Sequence, residues 1–154
     1  MEMQIRRSDR AISADEARGI LDKGEYGILS TVSADGQPYG VPVSYVCKGD
    51  IIYFHCAPKG HKLDNLGANS RVSFCVVGKT ELLPAEYGTK YESAIVSGRA
   101  LEVHGDEKRD GLLELIRKYA LDYVDKAPQH IAADGGKTRV FKIVVEAVTG
   151  KSRK

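Results

Sequence analysis

The chain has 154 residues, of which 42% are apolar and 29% charged, a balance typical of one globular domain. Its formal net charge of +2 argues against a dedicated nucleic-acid-binding protein, because such proteins carry a larger and clustered basic excess. The opening segment lacks the apolar core of a signal peptide, and no window approaches the ~20 apolar residues that a membrane-spanning helix needs.

The first predicted element is a helix. Ser13 and Glu16 have the spacing of a capping box at its start, and Gly24 follows where a left-handed C-terminal residue is expected. Three strands come next and are predicted to form an antiparallel meander with tight turns, over 26–32, 39–47 and 51–56. Pro42, inside the second strand, cannot donate a ladder hydrogen bond. That stretch is therefore an edge, a bulge, or a place where something other than a strand lies alongside.

The second half of the chain mixes strands and helices. The remaining elements, in order, are a helix over 61–68 ended by Asn69, strands over 71–77 and 93–103, a helix over 107–119 capped by Asp106, and a strand over 140–148. Gly98 predicts a bulge or a close backbone approach, and the basic segment 151–154 is expected to be a frayed end. Six strands with three helices favour a closed or nearly closed antiparallel barrel, because closure removes exposed sheet edges.

The three cysteines indicate a reducing environment. Cys47, Cys56 and Cys75 form no CxxC pair, and an odd number fits free thiols. We therefore expect a cytoplasmic protein, without a nucleic-acid or membrane partner.

The junction between the third strand and the following helix, Ala57–Lys62, predicts an anion site. Backbone N–H groups at a helix start carry a partial positive charge that favours an anion such as phosphate. His61 and Lys62 add donors there, and Gly60 allows the backbone to come close to a ligand. The alternative is that Lys59 and Lys62 are simply solvated, since this pattern at a helix start is common by chance.

His55, at the end of the third strand, has several possible roles. It could be a metal ligand, a haem ligand or a core histidine, but its spacing to His61 matches no common zinc pattern, so no metal site is predicted. A catalytic pair with Cys56 is disfavoured, because adjacent strand residues point to opposite faces. Cys56 is instead interpreted as a small packed residue.

Several short segments, in this order and spacing, resemble the split-barrel flavoproteins related to pyridoxamine-phosphate oxidase, in the branch named for nitroimidazole resistance. They are Ile5–Arg7 with Asp9 and Arg10, Gly36–Tyr39, Val41–Tyr45, Ile52–His55, Ala57, Gly60, Lys62, Leu66, Asn69, Val72–Phe74, Tyr91–Ser93, Val96 and Gly98. The resemblance covers nearly the whole chain.

The resemblance implies a mainly β fold, a six-stranded antiparallel Greek-key split barrel with short flanking helices, as one domain over 1–154. It further implies a homodimer with flavin mononucleotide (FMN) at the subunit interface; FAD and haem are the other candidate cofactors. The cofactor-binding residues that it implies are Val41, Pro42, Val43, Ser44, Tyr45, His55, Cys56, Ala57, Gly60, His61, Lys62 and Ser93. The oxidases have an aromatic–threonine pair and an arginine–lysine pair where this chain has His55-Cys56 and His61-Lys62.

Two functions are consistent with this resemblance. The first is an FMN-dependent reductase that passes electrons from a nicotinamide to a nitroimidazole or another small flat acceptor, with no obligatory side-chain acid or base and His55 as a candidate proton donor. The second is a flavin or haem carrier or sensor without turnover, with His55 as axial ligand. Vitamin B6 oxidation is disfavoured, because the C-terminal segment has no counterpart to the oxidases' arginine-rich substrate-binding segment.

Overall fold

The structure, a computed structural model, describes residues 4–154. Seven strands are β1 Gly27–Val32, β2 Pro38–Val43, β3 Tyr45–Lys48, β4 Ile51–Cys56, β5 Arg71–Leu83, β6 Gly88–Val103 and β7 Arg139–Arg153. Four α-helices are α1 Ala14–Lys23, α2 His61–Ala68, α3 Gly105–Tyr119 and α4 Ala127–Asp134.

All strands belong to one antiparallel sheet whose order is β2-β1-β5-β6-β7-β4-β3. The two outermost strands, β2 and β3, follow each other in the chain and are separated by Ser44 alone. Since two residues of extended chain span about 7 Å at most, the sheet must curl until its edges meet at Ser44. The predicted split barrel is confirmed in this form.

The strand count differs from the prediction because the expected strand over 39–47 divides at Ser44. Its first half pairs with β1 and its second half with β4, at opposite edges of the sheet. The predicted meander of three consecutive strands is therefore wrong. Of the three alternatives left open by Pro42, the structure shows an edge, because β2 is an outer strand and Pro42 lies opposite Ile28 of β1.

The barrel interior is filled by large apolar side chains from most of the strands. Tyr45, Phe54 and Phe74 are fully buried, and the Tyr45 and Phe74 rings meet edge to face at 4.9 Å. Helix α1 covers one end of this core with Ala17, Ile20 and Leu21. Its predicted capping box is present: Ser13 and Glu16 each accept from the other's backbone N–H.

Two glycines stand where neighbouring atoms leave no room for a side chain. At Gly98 the register of β6 against β7 shifts, and a Cβ atom there would lie 2.2 Å from the Val144 carbonyl oxygen. The predicted bulge and close approach are confirmed. Gly24 is not left-handed as predicted, since its φ is −64°. It lacks a side chain for a different reason: its Cβ would lie 2.2 Å from the Tyr45 hydroxyl.

The ends of several elements also differ from expectation. Helix α3 begins at Gly105, after His104 rather than after Asp106. Strand β7 runs to Arg153 and pairs Lys151–Arg153 with β6, so the prediction of a frayed basic end is wrong. Helix α4 was not predicted. Every helix in residues 4–154 is too short or too polar to cross a bilayer.

Candidate functional site

The junction between β2 and β3 is held in place by the end of helix α3. The Tyr119 hydroxyl accepts a hydrogen bond from the Tyr45 N–H at 2.9 Å and donates to the Glu25 carbonyl at 2.6 Å. Lys118 donates to the Tyr45 carbonyl at 2.8 Å, and its Nζ lies 3.7 Å from the Tyr45 ring centroid. The backbone on one side of Ser44 is therefore fixed by residues more than seventy positions away.

Side chains of the 41–45 stretch alternate between the core and the surface. Val43 and Tyr45 are buried in the barrel, and Val41 packs against the same core. Pro42 and Ser44 are exposed. A ligand lying along this stretch would thus meet the side chains of Pro42 and Ser44 and otherwise the backbone.

The loop between β4 and α2 is tied to the sheet by Arg139. Its guanidinium forms two hydrogen bonds with Glu102, at 2.9 and 2.7 Å, and a longer one with the Pro58 carbonyl at 3.4 Å. Arg139 also lies opposite Cys56 in the β4–β7 ladder. Cys56 itself is buried, so only its backbone can reach a ligand on the rim. Ala57 and Gly60 are exposed.

Helix α2 begins without a side-chain cap. The Gly60 carbonyl accepts hydrogen bonds from the N–H groups of Leu63 and Asp64, so the helix's own hydrogen bonds start at Leu63. The N–H groups of His61 and Lys62, in the first turn, therefore have no partner within the helix. Buried Asn65 anchors the helix to β1 by donating to the Thr31 hydroxyl at 2.9 Å. The predicted helix start is confirmed in position.

His61 and Lys62 face different surroundings. The His61 ring packs edge-on against Tyr39 of β2, with centroids 4.6 Å apart. Lys62 is half-buried, and its charge acts on both His55 and Cys56. Residues of β2, β4 and α2 therefore converge on one rim of the barrel, which is the grouping expected of the cofactor site.

His55 stands at this rim with its pKa below the ordinary value. Its side chain is exposed at the mouth of a cavity, but the surrounding walls remove part of its hydration, which disfavours the charged ring and lowers its pKa. The positive charge of Lys62 lowers the pKa further. A neutral imidazole can both accept and donate a hydrogen bond.

These causes predict the titration of His55. We expect its NMR midpoint to lie below 6.5, and replacing Lys62 with methionine to raise it, because a nearby positive charge is removed. The folded state then binds protons less readily than the unfolded state at this site. Its contribution to stability is therefore present above pH 6.5 and lost as pH falls below it. The signal would be assigned with His55→Gln; a midpoint at or above 6.5 would contradict the account.

A cavity of about 360 Å³ opens beside Ser44 and His55, between α3 and α4. We refer to it as the α3–α4 cavity. Its wall from α3 is largely apolar, while α4 adds both apolar and polar groups. The lining residues include Leu112, Leu115, Ile116 and Tyr119 of α3, and His130, Ile131 and Asp134 of α4.

Ser93 lies apart from this rim in a single subunit. His55 pairs with Val140, which pairs with Val103 of β6. Ser93 precedes Val103 by ten residues along β6, roughly 33 Å of strand at 3.3 Å per residue. A role for Ser93 at the same cofactor would therefore require a second subunit.

Sequence reasoning did not find the residues that support the rim. The supporting contacts join residues that are far apart in the sequence, so no local sequence pattern reveals them. They are made by Arg139, Tyr119 and the α4 wall. Only α4 had a local signal, because Pro128 stands in its first turn, a favoured place for proline.

Two solved structures are similar to this chain over most of its length. A solved candidate 5-nitroimidazole antibiotic resistance protein from Bacteroides thetaiotaomicron is 25% identical, with a TM-score of 0.74, covering 92% of this chain and 85% of that one. A FAD-binding protein from Mesorhizobium loti is 27% identical with a TM-score of 0.67, covering 94% of this chain and 98% of that one.

A curated relative is an uncharacterized protein of Rhizobium meliloti (strain 1021), 30% identical over 96 residues. That match covers 61% of this chain and spans 57% of the relative's length. The sequence profile described as "Pyridoxamine 5'-phosphate oxidase" matches residues 13–152, which include every rim residue described above. The chain therefore belongs to the pyridoxamine 5'-phosphate oxidase family.

Proposed function

We propose that this protein binds FMN at the rim formed by Ser44, His55 and the start of α2, and that it reduces a small flat acceptor such as a nitroaromatic compound. The observation that carries the proposal is the convergence of three features. An uncapped helix start with Lys62, the exposed Ser44 junction and the α3–α4 cavity all adjoin His55.

The residues present fit the two parts of a flavin nucleotide. The free N–H groups at His61 and Lys62, with the Lys62 ammonium, would hold the phosphate by charge-assisted hydrogen bonds. Arg139 keeps the preceding loop in position through the Pro58 carbonyl. Exposed Ser44 and the backbone around it would lie along the ring, with Val43 and Tyr45 fixed in the core beneath.

Bound flavin would supply the transfer of electrons from a nicotinamide to the acceptor, a chemistry that the protein orients rather than performs. The chain's own contribution is positional. Tyr119 and Lys118 immobilise the Ser44 junction, and the walls of α3 and α4 shield one side of the site from water. His55, with its lowered pKa, is placed to exchange a hydrogen bond with an acceptor at the cavity mouth.

The similar proteins support this proposal in two respects. The Mesorhizobium loti protein is a FAD-binding protein, which supports a flavin, and we propose FMN as the form bound here. The Bacteroides thetaiotaomicron protein is a candidate nitroimidazole resistance protein, which supports a nitro compound as acceptor.

The assay that tests the activity is oxidation of NADH or NADPH by the FMN-loaded protein with a nitroimidazole as acceptor. We expect steady oxidation that depends on both acceptor and bound flavin. Nicotinamide oxidation no faster than with free FMN would contradict a reductase.

One observation favours the second candidate, a haem or flavin carrier. His55 is exposed, and its lowered pKa favours the neutral imidazole, which is the form that binds metals. The visible spectrum distinguishes a haem carrier from a flavin-binding protein. A sharp Soret band after addition of hemin, lost in His55→Ala, would favour it over the flavin proposal.

We also propose a homodimer in which the β5–β6 hairpin contacts the second subunit. Leu82 and Tyr87, near and at its tip, are 75% and 99% exposed in the single chain. Ser93 lies farther along this hairpin. In such a dimer, the hairpin of one subunit would bring its Ser93 toward the rim of the other subunit, which Ser93 does not reach within its own subunit.

The dimer is tested by adding a charge at the hairpin. We expect Leu82→Glu to shift the protein from dimer to monomer in light-scattering measurements at low micromolar concentration, because a buried unpaired charge is costly. Leu121→Glu is the matched control, because Leu121 is 64% exposed outside the hairpin, and it should leave the dimer intact. A wild-type monomer, or a dimer unaffected by Leu82→Glu, would contradict this interface.

A further inference from the structure

The polar end of the α3–α4 cavity is not used by the proposed cofactor site. We infer that this cavity binds a small planar aromatic molecule bearing an exocyclic oxygen, and that His130, oriented by Asp134, donates a hydrogen bond to that oxygen. The inference rests on the proposed function in so far as it names the class of acceptor and where that acceptor sits.

The size and walls of the cavity suit a single ring system. Its volume of about 360 Å³ lies near the lower end of the 300–1,000 Å³ typical of small-molecule pockets. Leu112, Ile116 and Ile131 present aliphatic surface from two helices. Such surface favours the flat faces of an aromatic ring, since apolar burial there is not opposed by loss of hydrogen bonds to water.

The polar end is built from two residues one helical turn apart. His130 Nδ1 lies 3.4 Å from a carboxylate oxygen of Asp134, and both residues line the cavity. Asp134 thus engages Nδ1, which leaves Nε2 as the ring nitrogen available to a ligand. A protonated Nε2 donates a hydrogen bond to an oxygen of the ligand.

The His130–Asp134 pair contributes little to the fold itself. The two side chains are 66% and 52% exposed, and exposed ion pairs typically contribute about 0–1 kcal/mol. Substitutions at His130 can therefore be read as effects on ligand binding. Ser44 and His55 line the same cavity, so a molecule held by His130 would also adjoin the rim proposed for the flavin ring.

The test uses two probes that differ in one substituent, 4-nitrotoluene, which bears nitro oxygens, and p-xylene, which has a methyl group in that place and bears no oxygen. Their binding to the purified full-length protein is followed by NMR titration, with and without added FMN. The variant His130→Phe keeps a ring but removes its nitrogens. His104→Phe is the matched control, because His104 is exposed and is not among the residues that line the cavity. Ile116→Trp fills the cavity.

We expect the nitro probe to bind the wild type more tightly than the methyl probe. His130→Phe should weaken the nitro probe about fivefold, the loss of one hydrogen bond, and should leave binding of the methyl probe unchanged. His104→Phe should change the binding of neither probe. Ile116→Trp should weaken both probes. Equal weakening of both probes in His130→Phe, no binding of the nitro probe, or binding that survives Ile116→Trp would overturn the inference.

Failure of the inference is distinguishable from failure of the proposed function. FMN binding is measured separately by the quenching of flavin fluorescence. Probe binding that depends on His130 in a protein without affinity for flavin would overturn the proposed function and leave the cavity assignment intact. Flavin binding without any probe binding in the cavity would overturn the cavity assignment and leave the proposed flavin site intact.

Discussion

Replacing Lys62 with glutamate is expected to weaken FMN binding at least about tenfold. The change removes a charge-assisted hydrogen bond at the start of α2 and places a negative charge against the phosphate, a loss of at least ~1.5–3 kcal/mol. The measurement is the dissociation constant of FMN from protein stripped of cofactor, followed by quenching of flavin fluorescence.

The matched control for this substitution is Lys59→Glu. It makes the same change in net charge only three residues earlier, but Lys59 is exposed in the loop, whereas Lys62 is half-buried beside His55. Exposed charges are strongly screened by salt, so we expect a smaller loss of affinity, which fades at high ionic strength. Equal losses in the two variants would show that Lys62 acts only through bulk charge and has no specific contact.

Replacing Tyr119 with phenylalanine is expected to lower the free energy of unfolding by about 0.5–1.5 kcal/mol, the net contribution of a hydrogen bond that is only partly buried. The Tyr45 N–H would lose its acceptor and the Glu25 carbonyl would lose a donor, while the ring would still pack as before. Urea unfolding measures the change. FMN affinity should fall in the same variant, because Tyr119 fixes one side of the Ser44 junction.

Tyr123→Phe serves as its control. Tyr123 lies four residues beyond Tyr119 and is 66% exposed, so removal of its hydroxyl should leave both quantities unchanged. If Tyr119→Phe were as stable as the wild type and bound FMN equally well, the junction would not depend on this clamp.

Elements with local signals were predicted well from the sequence. The capping box of α1, the strand over 51–56 and the helix over 61–68 agree with the structure, because their start and stop residues lie within a few positions of each other. The position of the α2 start, on which the proposed phosphate site depends, was also visible, since the residues that begin the helix are adjacent in the sequence.

Features that depend on distant contacts could not be predicted. The division at Ser44 requires Tyr119 and Lys118, more than seventy residues away, to satisfy the backbone of Tyr45. The extension of β7 to Arg153 depends on its pairing with Tyr91–Ser93. The α3–α4 cavity exists only because two helices meet over the strand end that carries His55, so its lining residues have no common pattern in the sequence.

We propose above all that the barrel rim at Ser44, His55 and Lys62 is a flavin site. The most direct test is to purify the protein, incubate it with excess FMN, remove unbound cofactor, record the visible spectrum and identify the released cofactor by mass. We predict a yellow protein that releases close to one FMN per chain. A protein that stays colourless after this treatment would contradict the account.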